Sequence, residues 1–162
     1  MDSVLQIRPA RPEEAGPLSE LALRSKGHWG YDEAFLAACR AELTLRPALL
    51  AAGRALVAER GGAVLGFALF GGHELDMLYV EPAAIGQGVG SALFRAVLEL
   101  ARAAGTAEFT VDADPNAADF YRAMGARRTG EVPSGSIPGR VLPQFTVTVA
   151  QTPAAPSSEP AA

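Results

Sequence analysis

Cysteine is almost missing from this chain. Cys39 stands alone, so there is no internal disulfide and no thiolate zinc cluster, and no metal is expected. It lies in an alanine-rich helical run and is read as a buried structural thiol. Long apolar runs are missing too, since no stretch approaches the ~20 consecutive apolar residues that cross a bilayer. Positive charge is not in excess. Fourteen Lys and Arg face eighteen Asp and Glu, for a net charge of −4, which argues against a general nucleic-acid-binding surface. Met1 to Pro9 lack the basic-then-apolar order of a secretory signal. These absences predict a cytoplasmic protein whose partner is neither nucleic acid nor membrane. No internal repeat is visible. With 162 residues and 49% hydrophobic content, residues 1–150 are expected to form one domain. Residues 151–162 are built from Ala, Pro, Ser, Thr, Gln and Glu, cannot bury a core, and are expected to form a disordered tail.

Glycine, by contrast, is abundant, and three glycines fall in one place. Leu75 to Val80 is an apolar run of strand length, ended by Glu81 and Pro82. Gly86, Gly88 and Gly90 then alternate. Beyond them Leu93, Phe94, Val97, Leu98 and Ala101 recur at helical spacing. Bare amides running into a helix N-terminus attract an anion, through outward N–H groups and the helix dipole. Ile85 to Ser91 is therefore read as a cradle for a pyrophosphate.

The flanking sequence supplies the architecture. Val4 to Arg8 reads as a strand, and Pro12 to Gly27 as a helix whose start is set near Pro17. Asp32 caps a second helix that carries Phe35, Leu36, Cys39 and Leu43, and Pro47 to Gly53 is a connector. Arg54 to Arg60 and Ala63 to Phe70 form a hairpin around Gly61 and Gly62, and a third strand follows from His73. After the long helix, Gly105 is a C-cap and Ala107 to Asp112 a strand, which implies a parallel crossover. A short helix from Ala117 to Met124 ends at Gly125. Ala126 to Val132 and Gln144 to Val149 then pair across a Pro133 to Pro143 loop. The expected fold class is α/β with a mixed sheet, antiparallel at first and parallel where the glycine turn sits.

Two nucleotide readings of the turn fail. A P-loop needs Lys followed by Ser or Thr after its glycines, and here Gly90 is followed by Ser91 and Ala92. A dinucleotide fingerprint needs a third glycine where Ser91 stands, and three strands precede this turn. Coenzyme A remains. Here the chain resembles the GNAT superfamily of N-acetyltransferases. In that family a strand ending in Val, any residue and Pro leads to Gln or Arg, two residues, Gly, any residue, and Gly or Ala. Val80-Glu81-Pro82, Gly88 and Gly90 match, and Ile85 stands at the usual Gln or Arg position. Arg95 and Arg102 are candidates to supply the missing charge. Downstream, Asn116, Phe120, Tyr121 and Gly125 match the family's second cofactor segment.

The resemblance implies an acetyl-CoA-dependent N-acetyltransferase with a GNAT-like fold and a splayed parallel strand pair at the cofactor. It covers about residues 4–149. The implied cofactor contacts are Leu78, Tyr79 and Val80 on the strand, Ile85, Gly86, Gln87, Gly88, Val89, Gly90 and Ser91 in the turn, and Asn116, Phe120 and Tyr121 beyond it. Tyr121 is also the implied general acid, because a phenol with a pKa near ~10 can protonate a departing thiolate. Glu74 and Asp76 lie two apart, share a strand face by alternation, and are the candidate bases. Histidine is the other residue type suited to base work, so His28 and His73 are further candidates, His73 being read as a turn residue. By family position His28, Trp29, Tyr31 and Glu33 line the acceptor site, where aromatics beside a carboxylate suit a cationic amine. The expected partner is a small-molecule or peptide amine, with a homodimer as a further possibility. The alternative is a catalytically silent acyl-CoA-binding sensor on the same fold.

Overall fold

A computed structural model describes residues 4–52 and 54–150, and the predicted tail lies outside the described residues. The chain opens with strand β1 (Gln6–Pro9), which keeps Pro9 in the strand. A 3-10 turn over Pro12–Glu14 then leads into helix α1 (Ala15–Gly27). Pro17 is accommodated in the first turn of α1, where its missing N–H would have no intrahelical acceptor. Asp32 caps α2 (Glu33–Leu43) by accepting the Phe35 amide at 2.8 Å, as its residue type predicts. The expected connector contains a five-residue helix, α3 (Pro47–Ala51). Pro47 starts it and fully buried Leu50 anchors it.

Strands β2 (Ala55–Arg60) and β3 (Ala63–Phe70) pair antiparallel around Gly61 and Gly62, whose φ values of 60° and 85° fit a two-residue hairpin turn. Strand β4 (Leu75–Val80) completes a four-stranded antiparallel sheet ordered β1-β2-β3-β4. Helix α4 (Val89–Ala103) follows the glycine turn and buries Val89, Leu93, Phe94, Val97 and Ala101. Strand β5 (Glu108–Asp112), helix α5 (Ala118–Ala123), and strands β6 (Arg127–Pro133) and β7 (Val141–Thr148) complete the chain. These last three strands form a second antiparallel sheet, ordered β5-β7-β6. The predicted Pro133–Pro143 loop is shorter than expected, because β7 begins at Val141. Pro143 is tolerated in it opposite Glu131, one residue past the end of the β5 pairing.

The two sheets meet at one parallel bridge, Glu74 to Thr110, and then diverge. Alternation along β2 and β3 divides the core in two. Leu56, Ala58, Ala68 and Phe70 pack with α4, Phe109 and Phe145, whereas Val57, Phe67 and Leu69 pack with α1, α2 and Leu50. On β4, Leu78 and Val80 join the first cluster, and Met77 and Tyr79 the second. Alternation breaks upstream of these. Leu75 packs in the first cluster although it lies two residues from Met77, because the register with β3 shifts and leaves Asp76 as the extra residue. The period-two argument for Glu74 and Asp76 sharing a face is therefore corrected by a bulge at Asp76. No helix among the described residues is long and apolar enough to cross a membrane.

Candidate active site

Where β4 and β5 diverge, a cleft of about 330 Å³ opens. Its walls come from Leu75 to Val80 on β4, from Val111 to Asp114 at the end of β5, and from the turn at the start of α4. Beyond the Glu74 bridge, the outer edge of β4 has no strand beside it among the described residues and faces the cleft. The glycine turn forms one end. Gly86 and Gly88 have φ values of 87° and 83°, a region that side-chain-bearing residues avoid. The Ile85 amide donates to Pro82 O and the Gln87 amide to Ala84 O, so these two are used inside the turn. The amides of Gly86, Gly88, Val89, Gly90 and Ser91 have no acceptor among the described residues. Those residues line the cleft together with Ile85, whereas Gln87 does not. The Gln87 side chain instead donates to Ala83 O and accepts from Arg60 Nη1 at 3.1 Å, which brings a guanidinium beside the turn. Arg102, a candidate for that service, is tied to Glu99 and to Ala150 O on the last turn of α4.

Gly90 packs closely on Phe120. A Cβ there would lie 3.3 Å from the ring. Phe120 and Tyr121 both line the cleft, and each ring packs edge-on against Phe94. Tyr121 is only 5% exposed, and burial, followed by the neighbouring Tyr79, raises its phenol pKa. It therefore stays protonated throughout the neutral range.

The three carboxylates at the base of the splay behave as a group. Asp76 and Asp112 line the cleft and Glu74 does not. Burial and the nearby Asp112 raise the Asp76 pKa. Burial, Asp112 and Asp76 raise that of Glu74. Asp112 also accepts the Gln144 side-chain amide at 3.0 Å. Sequence reasoning missed Asp112, which faces β4 only because of the parallel splay.

Ser25, Lys26, Trp29, Asp114 and Asn116 also line the cleft. Trp29 is 43% exposed and His28 packs edge-on against it, outside the lining. Glu33 is exposed in the first turn of α2 and does not reach the cleft. Tyr31 stacks on Phe35 with ring centroids 4.0 Å apart. The cations over this pair belong to the protein itself. Lys26 Nζ is 5.6 Å from the Tyr31 centroid, and the Arg140 guanidinium is 4.8 Å from that of Phe35. Asp114 accepts from Lys26 at 3.0 Å, from the Tyr31 hydroxyl at 3.0 Å and from the Asn116 amide at 2.8 Å. Burial would raise the Asp114 pKa, but the Asn116 amide, Lys26 and Tyr31 outweigh it and hold the carboxyl below the usual range. That Lys26, Asp114 and Arg140 meet is set by the fold and by no local pattern.

Comparison with known proteins places this geometry. Residues 20–134 match the family model described as an acetyltransferase (GNAT) domain. A GCN5-related N-acetyltransferase from Rhodopseudomonas palustris is 31% identical, with 91% of this chain and 98% of that one covered and a TM-score of 0.77. The PaiA N-acetyltransferase of Thermoplasma acidophilum, solved in complex with coenzyme A, is 18% identical. There the coverage is 90% of this chain and 99% of that one, and the TM-score is 0.72. YncA of Salmonella typhimurium, solved with acetyl-CoA, is 23% identical over 93% of this chain and 96% of its own, with a TM-score of 0.63. No curated protein matches the chain. The mixed α and β architecture expected from the sequence is the one these structures share.

Proposed function

Because this chain belongs to the GNAT acetyltransferase family, we propose that it transfers the acetyl group of acetyl-CoA to a primary amine of a small molecule or peptide. The observation that carries this reading is the open cleft between β4 and β5, which ends on five unpaired amides at the start of α4. Amides converging on a helix N-terminus suit a pyrophosphate. The open β4 edge at Leu78, Tyr79 and Val80 suits the amide-bearing pantetheine arm. Bound acetyl-CoA would supply an activated acyl thioester.

The remaining chemistry belongs to the side chains. Asp76 is proposed as the base. It lines the cleft, and its raised pKa brings it closer to the range in which a carboxylate can take a proton from an ammonium. Glu74 lies outside the lining, and burial, Asp112 and Asp76 raise its own pKa. With acetyl-CoA bound, Asp76 would take the ammonium proton so that the neutral amine could attack the acyl carbon. As the carbon–sulfur bond broke, Tyr121 would give its proton to the sulfur, the surplus proton on nitrogen would pass to the tyrosinate, and Asp76 would return its proton to solvent. Tyr121 is buried, protonated and within the lining, as a donor must be. The acceptor enters under Trp29 and meets Asp76 and Asp112. The Tyr31 and Phe35 faces are already occupied by Lys26 and Arg140, so acceptor charge is read by the carboxylates.

The test is a calorimetric titration with acetyl-CoA, followed by free-thiol release over amines, amino acids, polyamines, aminoglycosides and peptides. Saturable binding and amine-dependent thiol release are expected. Absence of binding would overturn the cofactor assignment. Binding without release from any acceptor would overturn the transfer reaction and leave an acyl-CoA-binding sensor.

A further inference from the structure

Asp114 is the point at which four separate segments meet. It lies in the turn after β5, and the preceding Ala113 amide is fixed to Pro143 O on β7 at 2.9 Å. Lys26 comes from the last turn of α1, Tyr31 from the loop before α2, Asn116 from its own turn, and Arg140 from the β6–β7 loop. The two carboxylate oxygens divide the work. Oδ1 accepts the Asn116 backbone amide at 2.8 Å and its side-chain amide at 3.0 Å, and the Tyr31 hydroxyl also reaches it at 3.1 Å. Oδ2 accepts Lys26 Nζ at 3.0 Å and the Tyr31 hydroxyl at 3.0 Å, and Arg140 Nη2 lies 3.6 Å away. Tyr31 closes the network by accepting from Asn116 Nδ2 at 3.0 Å and from Arg140 at 2.7 Å. The Lys26 and Asp114 side chains are 10% and 13% exposed, so this is an interior ion pair rather than a surface one.

Oδ1 thus holds the Asn116 turn on the cofactor side and Oδ2 the Lys26 end of the cover on the acceptor side, while the Tyr31 hydroxyl lies against both. We propose that Asp114 is the positioning residue of the acceptor side. Its Oδ2 fastens the Lys26 end of the α1–α2 cover, with Trp29 beyond it, and faces the Arg140 loop, while the turn on the cofactor side is held by Oδ1. The words acceptor and cofactor rest on the acetyl-transfer reading. The fastening itself does not.

Asp114→Asn separates the two roles, because an asparagine keeps one acceptor oxygen for the Asn116 amide and presents an NH₂ group that Lys26 cannot use. Trp29 is the only tryptophan in the chain and lines the cleft, so its fluorescence reports the cover. In the full-length protein, Asp114→Asn should raise the acrylamide quenching constant of Trp29 about twofold or more, because a buried ammonium has lost its partner. Acetyl-CoA affinity, by titration, should stay within about twofold of wild type, since the remaining amide oxygen keeps the Asn116 turn in place. Adding Lys26→Met should bring quenching back toward wild type by removing that unpaired charge. Unchanged quenching in Asp114→Asn would overturn the proposal. So would a joint loss of acetyl-CoA affinity and cooperative unfolding, which would make Asp114 a general structural residue. A wild-type chain that does not bind acetyl-CoA would overturn the cofactor reading and leave the quenching result standing.

Discussion

Asp76 and Tyr121 illustrate how a residue's environment can set chemistry and stability against each other. Burial and Asp112 raise the pKa of Asp76, which means that ionising it disfavours the native state. Its folded pKa lies above the unfolded one, so stability is greatest while the group is protonated and falls as pH rises through the folded value. Asp76→Asn should therefore melt above wild type at neutral pH in a thermal scan. If Asp76 is the base, the same variant should lose turnover by about 10²–10⁴-fold and lose the acidic limb of the pH–rate profile. Tyr121→Phe should lower turnover while acetyl-CoA affinity, by titration, is kept. An Asp76→Asn protein that keeps its acidic limb moves the base to Glu74 or Asp112. A Tyr121→Phe protein with wild-type turnover removes the phenol from the reaction.

At the scale of elements, the site depends on how closely β3, β4 and α4 approach one another, and glycines mark the approach. A Cβ on Gly66 of β3 would lie 2.8 Å from Tyr79 O, 3.1 Å from Val89 Cγ1 and 3.2 Å from Leu93 Cδ1. A Cβ on Gly88 meets nothing within 4 Å, so only its left-handed backbone, φ 83°, resists substitution. Gly66→Ala should cost about 1–3 kcal/mol by overpacking. Gly88→Ala should cost about 1–2 kcal/mol by backbone strain alone. Both should weaken acetyl-CoA binding, the first by displacing the start of α4 and the second by turning the amides. Chemical denaturation and titration of the two variants check this pairing, and a Gly66→Ala protein of wild-type stability would contradict the packing argument. The two sets of contacts also explain what could be read in advance. The Gly61–Gly62 hairpin, the glycine turn and the α4 stripe are local patterns, so the cleft floor was legible from its residue order. The bulge at Asp76 is set by the partner strand, and α3 by one buried leucine, so neither left a local trace. The cover was the least legible part. Lys26 and Asp114 lie 88 positions apart, and only the fold makes a pair of them. Aromatics near Glu33 suggested a site for an external cation, but Lys26 and Arg140 already occupy those faces.

Over the whole molecule, two groups of carboxylates oppose each other in their dependence on pH. Glu14 is held below the usual range by Arg8, which also bonds Glu59 and so ties β1 and the 3-10 turn to β2. Asp114 is likewise depressed. The stability these two contribute is present above the unfolded carboxyl pKa of about 4 and is lost as pH falls through their folded values. Glu74 and Asp76 behave in the opposite sense. Their folded pKa values are raised, so stability declines as pH rises from about 4 through those values and stays lower at neutrality. Together the two groups place the stability maximum on the acid side of neutral. The double variant Glu74→Gln/Asp76→Asn abolishes the alkaline decline and leaves the acid one, so its maximum should broaden toward neutral pH. A series of melting curves across the acid and neutral range, for wild type and the double variant, measures this directly. If the two profiles stay parallel, the carboxylates at the base of the splay are solvated independently, and the argument that Asp112 tunes Asp76 as a base fails with them.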